Sequence, residues 1–181
     1  MKIMFVIFLS LLLPVTAPAV EYSRVQQGSN IAFVSRQMNV PVEGVFRKFN
    51  AQIRFNPARP ETGVAKIEID LASIDAGSAE ANDEVKGKSW FNVAEFPVAV
   101  FESRAVKSLG GGKYEAVGKM TIKGKSAGVR VPFSLIEGKG AVEIDGSFAI
   151  KRLDFDIGSG LWSDTSVVAD EVQLRFHFVV K

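Results

Sequence analysis

Few side chains in this 181-residue chain are equipped for chemistry. His177 is the single histidine, and there is no cysteine. A catalytic triad sets an imidazole between a nucleophile and a carboxylate. Nothing in the sequence places a serine or a carboxylate beside His177, which falls on the polar side of the last alternating run and reads as an exposed strand residue. A zinc site wants several His or Cys ligands, so no metal is expected. Without cysteine there is no disulfide, thiol nucleophile or lipid-modified thiol. Asp154, Asp156, Asp164, Asp170 and Glu171 form an acidic C-terminal cluster whose oxygens suit a hard cation. Their spacing fits no EF-hand loop, and solvated turn carboxylates with Arg152 as a partner are the simpler reading. The glycines at 110–112 lie between two strands and open no helix, so they lack the context of a phosphate cradle. No enzyme is expected.

The elements that must position these residues follow from a period of two. In residues 113–123, Lys113, Glu115, Val117, Lys119, Thr121 and Lys123 alternate with Tyr114, Ala116, Gly118, Met120 and Ile122. Such alternation puts the two sets on opposite faces of a β-strand. Comparable runs cover residues 31–36, 42–55, 64–71, 98–106, 129–135, 142–150 and 171–180. The run at 42–55 alternates around Val45, Phe49, Ala51, Ile53 and Phe55, with Arg47 breaking the apolar register. Pro57 and Pro60 end it, because proline cannot donate to a ladder. Pro132 marks an edge or a bulge in the run at 129–135. Residues 78–88 read as a short helix capped by Asn82 or Ser78. Residues 89–96 read as an apolar-faced helical turn able to cover a barrel mouth. The loop at 156–170, with an exposed-looking Trp162, has the length of a functional loop.

Eight strands with one short helical insert predict an all-β, lipocalin-like, eight-stranded antiparallel barrel. An interior of that size either fills with side chains or holds one ligand. The inward candidates are Phe33, Phe49, Phe55, Ile67, Trp90, Phe91, Phe101, Met120, Phe133, Phe148 and Phe176. Phenylalanine occurs 14 times, and such rings fill a core or line an apolar pocket.

The N-terminus reads as a leader. Lys2 precedes the apolar run at 3–13, and Ala17-Pro18-Ala19 is a small-x-small cleavage site. The run is shorter than the ~20 residues that span a bilayer. Residues 1–19 are therefore expected to be removed, leaving residues 20–181 as one exported, periplasmic domain. The 22 basic and 20 acidic residues give a net charge of +2, too balanced for a dedicated nucleic-acid binder.

Several strings together resemble one family. They are V-F-R-K-F-N-A-Q-I-R-F at 45–55, A-S-I-D-A-G at 72–77, W-F-N-V-A-E-F-P-V-A-V-F-E-S at 90–103, G-K-M-T-I-K-G at 118–124 and K-R-L-D-F-D-I at 151–157. Their order and spacing are similar to those of the YceI-like group of periplasmic polyisoprenoid-binding proteins, from about Tyr22 to the C-terminus. Departures are Gln37 for a histidine, Lys151 for an asparagine and Asp156 for a glycine. The resemblance implies a barrel with a helical insert after the third strand and an elongated pocket for an isoprenoid tail.

The expected function is that of a periplasmic carrier of an isoprenoid lipid, a quinone or a polyprenyl chain, requiring no cofactor. Gln37, Ser103, Arg152 and Asp154 are the candidates for orienting a head group. One alternative adds a transient membrane-protein partner, such as a b-type cytochrome, to which a bound quinone is presented near Trp162. Another is a stress-induced barrel with a filled interior and no ligand.

Overall fold

The computed structural model describes residues 27–137 and 142–180, so the leader expected at 1–19 lies outside the described residues. The alternating runs form one antiparallel sheet. Its strands are β1 (Asn30–Gln37), β2 (Val40–Phe46), β3 (Phe49–Arg54), β4 (Val64–Asp70), β5 (Ile74–Asp75), β6 (Val98–Gly110), β7 (Lys113–Ile122), β8 (Lys125–Glu137), β9 (Val142–Lys151) and β10 (Glu171–Val180). Their order is β3-β4-β6-β7-β8-β9-β10-β1-β2-β5. The ten strands are the eight expected runs with two of them bent. β3 continues β2 through Arg47 and Lys48, and β5 continues β4 through a 3₁₀ turn at Leu71–Ser73. Because β3 pairs with β4 and β2 with β5, the two bent legs hold each other on both sides of the corner. The strongly curled sheet thereby closes into the expected barrel.

Face alternation holds where it was cleanest. β7 buries Tyr114, Ala116, Gly118, Met120 and Ile122 and no residue between them. The single strand expected at 42–55 is corrected. β2 buries Gly44 and Phe46, whereas β3 buries Ala51 and Ile53. Parity inverts at Arg47-Lys48, and a one-residue slip sends every side chain to the other face. Arg47 is therefore a corner residue, paired with Asp75 on β5. The Asp75 carboxyl lies below its ordinary value, first because Gly77 N–H donates to it and then because of Arg47. A depressed folded value adds stability above the unfolded value and loses it as pH falls through the folded one. The Asp75→Asn variant is expected to melt slightly below wild type at pH 7. The gap should close as pH drops below about 4, which thermal scans at both pH values would show.

Three glycines let rings lie flat inside the curl. A Cβ on Gly44 would overlap the Phe33 ring, one on Gly118 the Phe101 ring, and one on Gly146 the Phe176 ring. Gly44 and Gly146 stand directly opposite their rings across the ladder. A ring covering a strand glycine supports both curvature and register. Gly146→Val should cost about 1–3 kcal/mol by forced displacement of Phe176, read as a lower urea midpoint.

Elsewhere the local signals resolve simply. The helix α1 (Ala79–Lys86) is capped by Ser78, whose hydroxyl accepts from Ala81 N–H at 3.2 Å. Asn82, the other candidate, instead accepts from Ala76 N–H. Residues 89–96 form the expected hydrogen-bonded turns. Pro132 pairs with Glu115 on β7, and β8 meets β9 only from Phe133 onward. The proline thus sits where one side of β8 is a free edge.

Candidate ligand-binding interior

Among the described residues, the inward faces line two partly open apolar cavities, of about 100 and 110 Å³. The first is walled by residues including Phe55, Ile67, Val131, Phe133, Phe148 and Phe176. The second is walled by Phe33, Phe46, Leu71, Trp90, Phe91 and Ile150, among others. Ile69, Phe101, Met120 and Leu174 line both, so the two chambers are neighbours divided by those four side chains. Each chamber is somewhat smaller than the ~150 Å³ engineered void that takes up benzene. Joined, they make an elongated apolar interior.

Aromatic rings set the shape of both chambers. Beside the first, Tyr114 stacks on Phe133 at 5.4 Å, and Phe55 meets both edge-on. In the second, Phe46 bridges Phe33 at 5.6 Å and Phe91 at 6.3 Å. Offset and edge-on pairs of this kind add to simple burial. Among the described residues, the only side-chain hydroxyl in either wall is that of Ser35, and no carboxylate or imidazole lines them. Arg54 and Arg175, which touch the first chamber, come from exposed strand positions.

Arg152 closes the second chamber. It is 1% exposed. Nε donates to Ala169 O at 3.1 Å, Nη1 to Ile157 O and Gly158 O at 2.8 and 2.9 Å, and Nη2 to Trp162 O and Val168 O at 2.7 and 2.8 Å. A guanidinium has five N–H donors, and all are used. Burial pushes its pKa below the ordinary value, while the nearby Asp170 charge pushes it up. The Trp90 ring lies 5.8 Å from its central carbon, within cation–π range. One side chain thus ties the loop at 156–170 to the barrel end.

Ten of the eleven inward candidates line a chamber. Phe49 does not; its ring packs 5.7 Å from Phe178. The four polar candidates are not brought together. Gln37 is exposed at the end of β1, bridged to Val168. The Ser103 hydroxyl accepts from Ala65 N–H at 2.7 Å within the sheet. Asp154 is exposed on the turn after β9. Arg152 touches the second chamber but has no N–H left for a head group. Phe46 was missed, although alternation read separately on each side of Arg47 would have found it with Gly44.

Three further expectations are corrected. Arg152 takes carbonyls, not the acidic cluster, as its partners. Asp156 pairs with Lys123, Asp164 accepts from Ser166, and Asp170 accepts from Leu153 N–H. Trp162 is half-buried against Trp90 at 5.4 Å, and its neighbour Leu161 is the exposed residue, at 96%. His177 does have a carboxylate beside it: Asp145 lies opposite on β9, with Nδ1 to Oδ1 at 2.7 Å. Ser134 is paired with Asp145 on the far side. The row runs Ser–Asp–His, so the imidazole cannot take a proton from that serine and no triad results.

Among solved structures, the chain resembles Burkholderia cenocepacia BcnA, with 47% identity and a TM-score of 0.85 over 87% of this chain and 99% of that one. It shares the fold of a Saccharophagus degradans polyisoprenoid binding domain, with 16% identity and a TM-score of 0.71 over 89% of this chain and 98% of that one. A UPF0312 protein of Azotobacter vinelandii is 31% identical over 137 residues, 72% of this chain and 69% of its own length. The model of the YceI-like domain matches residues 22–180. Curled barrel, helical insert after the third leg and matched sequence agree, and the chain belongs to the YceI-like family.

Proposed function

We propose that this protein is a non-enzymatic, periplasmic carrier of an isoprenoid lipid, a quinone or a polyprenyl chain. The observation that carries the reading is the apolar interior, two cavities that share four lining residues. The name of the Saccharophagus relative, a polyisoprenoid binding domain, supports the same class of ligand. Burial of a branched hydrocarbon tail contributes about 25 cal/mol per Å² of apolar area, and contacts with the rings add dispersion. A tail longer than one chamber requires Phe101 and Met120 to rotate aside. Methionine, unbranched and flexible, suits such a partition. The leader at 1–19 supports export.

The test is native mass spectrometry on protein released gently from the periplasm, followed by solvent extraction and lipid identification. A stoichiometric isoprenoid is expected. Protein that is empty and also refuses added quinones and polyprenols would overturn the reading.

A further inference from the structure

We propose that Glu143, Asp145 and His177 form a binding site for a divalent transition-metal ion of the zinc class on the outer wall of the barrel. The site is independent of the interior cavities. Glu143 and Asp145 are two apart on β9, and alternate residues of a strand share a face. His177 stands directly opposite Asp145, within ten consecutive pairs between β9 and β10. The three groups each offer one ligand atom within 4.8 Å of the others. Two neighbours on one strand plus the residue opposite supply three donors from one side. A catalytic or exchangeable zinc site has that count, with the remaining positions left to water.

The spacing is suitable without rearrangement of the backbone. With metal–ligand bonds of about 2.1 Å, two ligands of a tetrahedral zinc ion lie about 3.4 Å apart. His177 Nδ1 and Asp145 Oδ1 are 2.7 Å apart, so side-chain rotation must part them slightly. An ion entering between them replaces their shared proton, which passes to Nε2, and both atoms then coordinate. Two carboxylates and a neutral imidazole carry a charge of −2, matched to a divalent ion. Glu143 makes no hydrogen bond or ion pair with another described residue. A shallow surface groove lined by Asn30, Lys113, Ser134, Asp145, Arg175 and His177 opens two of the three donors to solvent. Imidazole suits zinc, nickel and copper, whereas magnesium and calcium prefer oxygen alone. Arg175, on the same face of β10 as His177, opposes the ion's charge and keeps affinity modest.

The experiment is calorimetric titration of tag-free mature protein with zinc chloride at pH 7, with magnesium chloride as a second titrant. One zinc per chain with micromolar affinity and no magnesium binding are expected. His177→Gln and Glu143→Gln should each weaken zinc binding by at least about tenfold, with unchanged circular dichroism and melting. Asp154→Asn, in the separate acidic cluster, should bind as wild type. Absence of zinc binding by the wild type would overturn the proposal. So would a His177→Gln protein that keeps its fold and binds zinc equally well.

Discussion

Arg152→Met is expected to lower the unfolding free energy by about 3–5 kcal/mol, the cost typical of disrupting a buried charged network. The native guanidinium spends five N–H groups on five carbonyls contributed by Ile157, Gly158, Trp162, Val168 and Ala169. Methionine fills the volume but donates nothing. Each carbonyl left buried and unpaired costs about 1–3 kcal/mol unless water reaches it. Water can reach the rim, so the total stays below the sum. Arg152→Lys should fare little better, because an ammonium directs three donors from one point and cannot span the loop. Against a typical stability of 5–15 kcal/mol, the loss is large. Urea unfolding gives the magnitude, and amide exchange at residues 156–170 locates it. A loss under about 1 kcal/mol would show that the network is not structural.

The second large effect concerns the partition. Phe101 borders both chambers, so a carboxylate there faces whatever occupies either one. Phe101→Asp is expected to reduce binding of a fluorescent prenyl lipid by more than about 100-fold, since an unpaired charge in an apolar site costs several kcal/mol. Phe101→Leu keeps the site apolar and should retain most of the affinity while widening the passage. Phe49→Asp tests the geometry from the other side. Its ring packs against Phe178 outside both cavity walls, so this variant should lose stability more than affinity. Gln37→Glu and Asp154→Asn should change affinity by less than about threefold, as exposed positions away from the chambers do. Circular dichroism melts accompany each titration, separating unfolding from loss of binding. Equal losses at Phe101 and Asp154 would refute the assignment of the interior as the binding site.

The sequence by itself determined the class of fold and the faces of the strands whose alternation is unbroken. Alternation is local, a property of neighbouring residues and the pleat. That is why residues 113–123 could be read residue by residue, and why ten of eleven inward candidates line a chamber. Turn and cap chemistry is local too: Ser78 caps α1, and the glycines at 110–112 all take positive φ in the β6–β7 turn. The absence of cysteine also needed no coordinates.

Only the tertiary structure decided which residues face each other across strands and loops. Register depends on closure of the whole barrel, and the parity change at Arg47-Lys48 moved Phe46 inward against the expected alternation. Register also set Asp145 opposite His177, 32 residues away in the chain, where the sequence showed an isolated imidazole. Arg152 looked like a partner for nearby acids, yet folding surrounded it with carbonyls, because a loop brought into contact with the barrel end exposes backbone oxygens that must be satisfied. Trp162 looked exposed until Trp90 covered it. In each case the deciding partner is remote in sequence, and its position is set by closing the chain on itself rather than by any local preference.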